Sequence, residues 1–383
     1  MWTLTFCLAA FTAVIAADSV TPHGIPVVKT TTLPNGQVID WVRRSSQGDI
    51  AAAPPFAPFN NTVDALRHIT IYDSAASGPT GTVPILRATK YGNAMPKKQL
   101  PGDNTLSRRA NHPHARDNYA GRHWYASTSQ RIDNHGGSAT FSRFKAYVQR
   151  SGDFSLLQTA VVRTNVPGAP GQKRQTVEAG WINFPQQISD PHLFTYFTTV
   201  SHTSDGDSIG GWNTNVQGWV QVDSQYHPGM VFPLSVVDGD QKDLQIRYLL
   251  REGNWWLGIN DKWAGYYPAS MFSRNGATSA TSLEGKGDLL YYYGEIYQSE
   301  TTLTTTDMGS GHFAQEGYKK AAYIKQITYT DAQENEGDYD GSQGTSVDDE
   351  NRYSLSAQWK SGQDGWGSYF FLGGPGAGGV IGG

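Results

Sequence analysis

The sequence predicts an all-β protein, either a sandwich or a barrel. Two observations carry that expectation. Aromatic residues make up 12% of the 383-residue chain and charged residues only 17%. Long amphipathic helices need more Leu, Ala, Glu and Lys than that balance leaves. From Trp124 onward, β-branched and aromatic runs are cut at short intervals by Gly, Pro, Asn and Asp. Strands of about 5–6 residues with turns every 8–12 or so are the pattern of stacked or closed antiparallel sheets. No repeat of fixed period is present.

The first residues, MWTLTFCLAAFTAVIAADS, form a short apolar stretch ending in small residues. Residues 1–17 are therefore expected to be a secretory signal peptide cut near Ala16 or Ala17, although no Lys or Arg precedes the apolar run. The stretch is too short to span a bilayer comfortably, and no later one approaches that length. Cys7 is the only cysteine, so the mature chain is expected to be a secreted, extracellular protein held by its core without disulfides. Asn60-Asn61-Thr62 makes Asn60 a glycosylation candidate.

Residues 18–109 are expected to be a small β-rich prosegment with a basic linker. In PVVKTTTLPNGQVIDWVRR, Pro34-Asn35-Gly36 is a turn between two β-like runs. AAAPPFAPFNN reads as an extended linker, and HITIYD and TVPILRAT as short strands. The polar, basic stretch from Lys97 to Ser127 is expected to be an exposed loop, with Arg108-Arg109 as the processing site and Arg109-Ala110 as the cut. From Asp18 to Arg109 there are 10 Lys+Arg and 6 Asp+Glu; from Ala110 to Gly383 there are 20 and 28. A basic leader on an acidic body suits an electrostatically docked prosegment. The net charge of -4 argues against nucleic-acid binding as the main role.

Residues 110–383 are expected to form the main folded body, with its core at about 125–376. SATFSRFKAYVQ has outward polar alternation, and SLLQTAVVRT, QTVEAGWINFP and LFTYFTTVS follow as strands. Next come WNTNVQGWVQVDSQ and MVFPLSVVDGD, then two strands around Glu252-Gly253-Asn254, with a short helical turn near Tyr267 to Phe272. DLLYYYGEIYQSE and AAYIKQITYTD are strands on either side of MGSGHFAQEGYKKA. Asp331 to Glu350 holds 8 Asp+Glu and no Lys or Arg, and is expected to be a solvated, mobile loop. YSLSAQWK and WGSYFFLGGPG form a closing hairpin, and the Gly-rich end is expected to fray.

Several chemistries are disfavoured. The chain has no HExxH and no Cys pair, so no metal or other cofactor is expected. GxSxG and a Walker loop are absent. With no cysteine in the mature chain, a thiol nucleophile is excluded. Carboxylates remain, and two lie inside strongly β-like aromatic runs. Strand side chains alternate, so Glu178 shares a face with Gly180 and Ile182, opposite Val177, Ala179 and Trp181. Glu295 shares a face with Tyr291, Tyr293 and Tyr297. A strand Glu ordinarily faces solvent. Two that meet share a proton, and one can act as base on a water while the other donates.

VEAGW, GWVQVDS, NWWLGINDKWAGYYPASMF, YGEI, DMGSGHFAQEGYKKAAYIKQI and the closing GGPG resemble the neprosin family, in that family's order, over roughly Tyr125 to Gly376. NGQVIDWVRRSSQGDIAAAPPF resembles its prosegment more loosely. The resemblance implies a secreted glutamic endopeptidase with an antiparallel β-sandwich, made as a proprotein, active in acid and cutting after proline. It makes residues 110–383 the catalytic domain and places Glu178 and Glu295 at the catalytic positions. The chain departs from the family where Gly211 and Val216 stand in place of paired cysteines, and where Tyr293 precedes Gly294-Glu295 in place of a glycine. The spacer Thr199 to Ser208 is longer and more polar than the family pattern.

Tyr291, Tyr293 and Tyr297 are the expected substrate-binding rings, with Tyr293 the first candidate. The expected partners are a polypeptide substrate, proline-rich in character, and the chain's own prosegment as inhibitor, with neither nucleic acid nor membrane, in a monomer. Two other readings use the same residues: a glycoside hydrolase built on the carboxylate pair, and a non-catalytic β-sandwich that binds carbohydrate or cell wall.

Overall fold

The computed structural model describes residues 20–59, 76–87, 98–102, 118–360 and 365–383. The expected signal peptide, Asn60, HITIYD, Lys97 and Arg108-Arg109-Ala110 lie outside the described residues. In the N-terminal region, β1 (Val27–Thr32), β2 (Val38–Arg43) and β3 (Thr82–Leu86) form an antiparallel sheet. The turn between β1 and β2 contains Gly36 at φ 83°, a backbone that favours glycine, and its N–H bonds to the Leu33 carbonyl.

The body strands are β4 (Arg122–Gln130), β5 (Gly136–Ser142), β6 (Phe154–Arg163), β7 (Gln175–Phe184), β8 (Ile188–Thr198), β9 (Gly210–Trp212) and β10 (Val220–Gln221). They continue as β11 (Asp243–Arg251), β12 (Asn254–Ile259), β13 (Lys262–Pro268), β14 (Leu289–Gln298), β15 (Ala322–Thr330), β16 (Glu336–Asp338), β17 (Thr345–Val347), β18 (Ser354–Gln358) and β19 (Tyr369–Gly373). One sheet has seven strands in the order β17-β4-β14-β6-β7-β8-β9. The other has nine, in the order β10-β13-β12-β11-β5-β15-β19-β18, with β16 on β15. All their pairings are antiparallel.

The two sheets share one core, which makes the body a sandwich. Val177, Ala179 and Trp181 of β7, Leu157 and Val161 of β6, and Tyr292 and Ile296 of β14 face Phe141 of β5, Ile246 and Tyr248 of β11, and Ile324 of β15. Each large apolar side chain buried here contributes roughly 1.5–3 kcal/mol. The alternate residues of the seven-stranded sheet build a second, aromatic layer on its outer face, with Phe154, Phe194, Tyr196, Trp212 and Tyr293. That layer holds the candidate site.

The N-terminal region wraps this sandwich. Gln37 Nε2 donates to the Gly229 carbonyl at 2.6 Å, and Gln47 and Gln221 exchange two hydrogen bonds. The Ala51 N–H reaches Tyr266 Oη, Trp263 donates to the Phe56 carbonyl, and Arg247 to that of Pro58. These are mostly amide and carbonyl contacts. Ionisable side chains enter the docking at Arg247, at His23 and Asp207, 3.9 Å apart, and at Lys98.

Several sequence expectations need correction. The acidic 331–350 stretch is not a free loop. Its β16 and β17 pair with β15 and β4, because Tyr339 between them is fully buried against Tyr292 and Trp359. The Gly-rich end is anchored rather than frayed over its first part. The Gly374 carbonyl accepts from Met308 N–H, and the Ala377 N–H donates to Thr304. The 243–268 run makes three strands, because Asn260, at φ 52°, turns the chain again. The 230–240 run forms no strand beyond an isolated bridge at Val231. The polar face of β5 is buried, its hydroxyls paired with Thr328, Gln326 and the Tyr323 carbonyl.

Candidate active site

Three neighbouring strands place the two glutamates. In β6, Leu156 stands opposite Glu295 of β14, and Ala160 opposite Glu178 of β7. Gln158 lies midway, opposite Tyr293 on one side and Gly180 on the other. Strand spacing and rise put the two glutamate Cα atoms roughly 16 Å apart. Their side chains lean inward from either end of this diagonal.

Both carboxylates are completely buried. Burying charge is costly unless partners replace water, and here they do. Glu178 Oε1 accepts from Thr176 Oγ1 at 2.7 Å and pairs with His202 Nε2 at 2.9 Å. Its Oε2 accepts from Gln158 Nε2 at 2.7 Å and from Tyr293 Oη at 3.4 Å. Glu295 Oε1 meets His123 Nδ1 at 2.6 Å.

Between the carboxylates sits Lys98. Its Nζ lies 2.5 Å from Glu295 Oε2 and 3.6 Å from Glu178 Oε2, and it donates to Gln158 Oε1. The ammonium is ringed by Tyr293 at 5.4 Å and by Phe194 and Trp212, each at 5.7 Å, close enough for cation–π attraction. The expectation of an exposed basic loop therefore fails at this point. Lys98 and Leu100 are fully buried, Leu100 within the aromatic layer. A lysine in a polar stretch reads as solvated, and the acids that bury this one lie far along the chain.

These partners set the charge of Glu178. Burial pushes its carboxyl up. The Lys98 charge, the His202 bond and charge, and the Gln158 bond together outweigh burial and hold the carboxyl down at about 2. Burial pushes the Tyr293 phenol well up, and the nearby Glu178 and Glu295 charges add to that, so it stays a neutral donor.

The three tyrosines expected to bind substrate sit on this layer. Tyr293 is fully buried beneath Lys98 rather than exposed, and Gln158 Nε2 also bonds its hydroxyl. Tyr291 meets Tyr293 edge-on at 6.2 Å, and Tyr297 lies against His123 and Phe154 at 5.0 and 5.4 Å. Both are partly exposed. Sequence reasoning missed Lys98, His123, Gln158, Thr176 and His202. Gln158 had a readable signal, since it interrupts the apolar run SLLQTAVV as Glu178 interrupts its own.

Two glycines let the strands of the site pack closely, Gly180 against β6 and Gly294 towards the inter-sheet core behind the site. A Cβ on Gly180 would fall 2.1 Å from the Leu157 carbonyl and 2.7 Å from Gln158 Cα, and one on Gly294 would meet Leu372 and Met308. Gly180→Ala is expected to spread β6 from β7 and destabilise the chain by about 1–3 kcal/mol, the usual scale of overpacking. A urea melt measures this loss, and an unchanged midpoint contradicts the packing described. Gly211 and Val216 are neighbours, since a Cβ at Gly211 would lie 2.6 Å from Val216 Cγ2.

Among the described residues, no group of three or more His, Cys, Asp or Glu is arranged to hold a metal ion, and no helix is long and apolar enough to cross a membrane. The fold and site together define an antiparallel β-sandwich that carries a pair of buried glutamates on the outer face of one sheet. More particularly, the chain belongs to the Neprosin family, whose model matches residues 151–375. Among solved structures it is similar to Scytalido-glutamic peptidase, crystallised with a peptide-based transition-state analogue. That match has 7% identity over 68% of this chain and 98% of the other, with a TM-score of 0.32. It is also similar to CG-16, a homodimeric agglutinin from chicken liver, with 5% identity over 48% and 99% of the two chains and a TM-score of 0.20.

Proposed function

We propose that this protein is a secreted glutamic endopeptidase that works in acid and cuts polypeptides on the carboxyl side of proline. One observation carries the reading. Glu178 Oε2 and Glu295 Oε2, from strands more than a hundred residues apart, converge on the point filled by Lys98 Nζ. With the ammonium gone, a water at that point is within reach of both carboxylates. Two acids this close hold a single proton between them in acid. The ionised one takes a proton from the water as it attacks the scissile carbonyl. The protonated one donates to the amide as it leaves. No covalent intermediate is needed. The rings of Phe194, Trp212 and Tyr293, extended by Tyr291 and Tyr297, offer flat apolar walls to a prolyl residue.

On this reading, residues 1–17 are the signal peptide and 18–109 the prosegment, with Lys98 its inhibitory contact and Asn60 its glycan site. Processing at Arg109-Ala110 releases residues 110–383, which act as a monomer outside the cell. The test is to incubate the acid-treated chain with casein or gliadin at about pH 4, the range where a carboxyl pair shares one proton, and to read the fragments by mass spectrometry. Fragments ending in proline, formed equally with a metal chelator present, are expected. Sugar released from polysaccharides with no peptide fragments would make the pair a glycosidase centre. Neither product would leave a binding protein.

A further inference from the structure

The two glutamates are not equivalent. Once Lys98 leaves, Glu178 keeps contacts to Thr176, His202, Gln158 and Tyr293, whereas Glu295 keeps His123 among the described residues. A carboxylate that accepts several hydrogen bonds stays ionised more readily than one that accepts fewer. The contact that sets the two acids apart is His202, which comes from the spacer Thr199 to Ser208.

That spacer is built to present one side chain. Thr198 Oγ1 accepts from both the Val200 and His202 N–H groups, each at 3.1 Å. Ser201 exchanges hydrogen bonds with Arg174: its N–H and hydroxyl donate to the Arg174 carbonyl, and the Arg174 N–H donates to Ser201 Oγ at 2.7 Å. Ser201 and His202 both hold φ near +57°, a backbone that non-glycine residues adopt only when the surroundings fix it. The Tyr196 ring stacks on the imidazole at 5.6 Å and 11°, and its hydroxyl is tied to Asp205 at 2.9 Å. The result is a His202 that is 5% exposed with Nε2 aimed at Glu178 Oε1.

We propose that His202 is the positioning residue that makes Glu178 the base of the pair and leaves Glu295 as the acid. It donates Nε2–H to Oε1, keeping that carboxylate ionised and turned so that Oε2 faces the attacking water. The inference rests on the peptidase reading above. The other titratable groups around Glu178 do not compete for this role. Lys98 comes from the N-terminal region and leaves with it. Tyr293 on β14, Tyr196 on β8, Tyr248 on β11 and Tyr267 on β13 are all pushed up by burial and remain neutral in acid. Tyr248 and Tyr196 act on the main chain and on Asp205 rather than on the carboxylate. Glu295, across the site, is the intended proton donor.

The test uses the activated protein and a proline-containing peptide, with kcat and KM followed across acid pH. His202→Phe keeps the stack on Tyr196 and removes the donor. It is expected to lower kcat about 10- to 100-fold at the acid end, at or below the low end of what an acid–base group itself contributes, as suits a residue that acts through another. The acid limb should move up by about one pH unit as Glu178 takes its proton earlier, with KM changing little. His202→Gln, which restores an N–H donor, should recover most of the loss. An acid limb that stays in place in folded His202→Phe, or a basic limb that moves instead, overturns the proposal.

Should the Phe variant fail to fold, infrared difference titration of Glu178→Gln and Glu295→Gln serves instead. The carboxylate signal that persists to lower pH must be the one missing from Glu178→Gln, and its loss in Glu295→Gln overturns the proposal. If both glutamine variants keep cleaving, the peptidase reading itself fails. If both are dead and His202→Phe behaves as wild type, only this inference fails.

Discussion

Glu178→Gln and Glu295→Gln are each expected to lower kcat at least about a thousandfold, within the scale that proton transfer contributes to hydrolysis, while the sandwich stays folded. Glutamine keeps the volume of the side chain and its place in the strand but neither takes nor releases a proton. On the proposed mechanism the two positions act on one water, so the double variant is expected to be little worse than either single one. The measurement is kcat/KM on a quenched proline peptide at about pH 4, alongside near-ultraviolet circular dichroism as a check on packing. Near-native turnover in either variant removes the pair from the mechanism.

Lys98→Met is expected to have the opposite sign and a comparable size. The full-length chain becomes active before any N-terminal residue is removed. Lys98 is the cation that both carboxylates share. Methionine has similar length and no charge, so the leader would have to cover two buried acids without their shared cation, a cost of about 3–5 kcal/mol for a broken buried ion pair. The segment is expected to lift off, because it lies between the carboxylates without being part of the sheet that carries them. The experiment compares initial rates of the wild-type and Lys98→Met full-length chains while gels still show a single intact band. Equal latency in both places the inhibition elsewhere in the N-terminal region.

The same contact gives a pH dependence of known sign. The Glu178 carboxyl is held at about 2 in the folded chain against an ordinary 4.5. A lowered pKa stabilises the folded, Lys98-bound state above the ordinary value, and that stabilisation is lost as pH falls from about 4.5 towards 2. Lys98 supplies part of that lowering, so full-length wild type should hold its N-terminal region at neutral pH and release it progressively as the pH falls, while the other partners of Glu178 stay with the body. Hydrogen exchange at residues 98–102 measures the release. Protection that rises as the solution is acidified would contradict the assignment of Lys98 as the latch.

Much of the scaffold was legible because it depends on local pattern. The alternation of QTVEAGWINF puts Val177, Ala179 and Trp181 in the inter-sheet core and Glu178 on the other face, as the structure has it. YYYGEIY behaves likewise, with Tyr292 and Ile296 inward and Tyr293 and Glu295 outward. The Pro34-Asn35-Gly36 turn and the final hairpin also carry their own local signals. Acidity misled at 331–350, where one tyrosine, buried against distant aromatics, outweighed the charge around it.

The sequence by itself determined the class of fold and put both acids inside strands, since periodicity and turn chemistry act within a few residues. It could not determine how the acids are housed. The pairing of Glu178 with Glu295 depends on β14 and β7 both flanking β6. The fate of Lys98 depends on two carboxylates 80 and 197 residues further along. The contacts of Gln158, His123 and His202 with the two acids depend on register and on a loop held in an uncommon backbone conformation. Desolvation and hydrogen bonding decide what a charged side chain does, and both are properties of its neighbours in space. Only the tertiary structure brought those neighbours together.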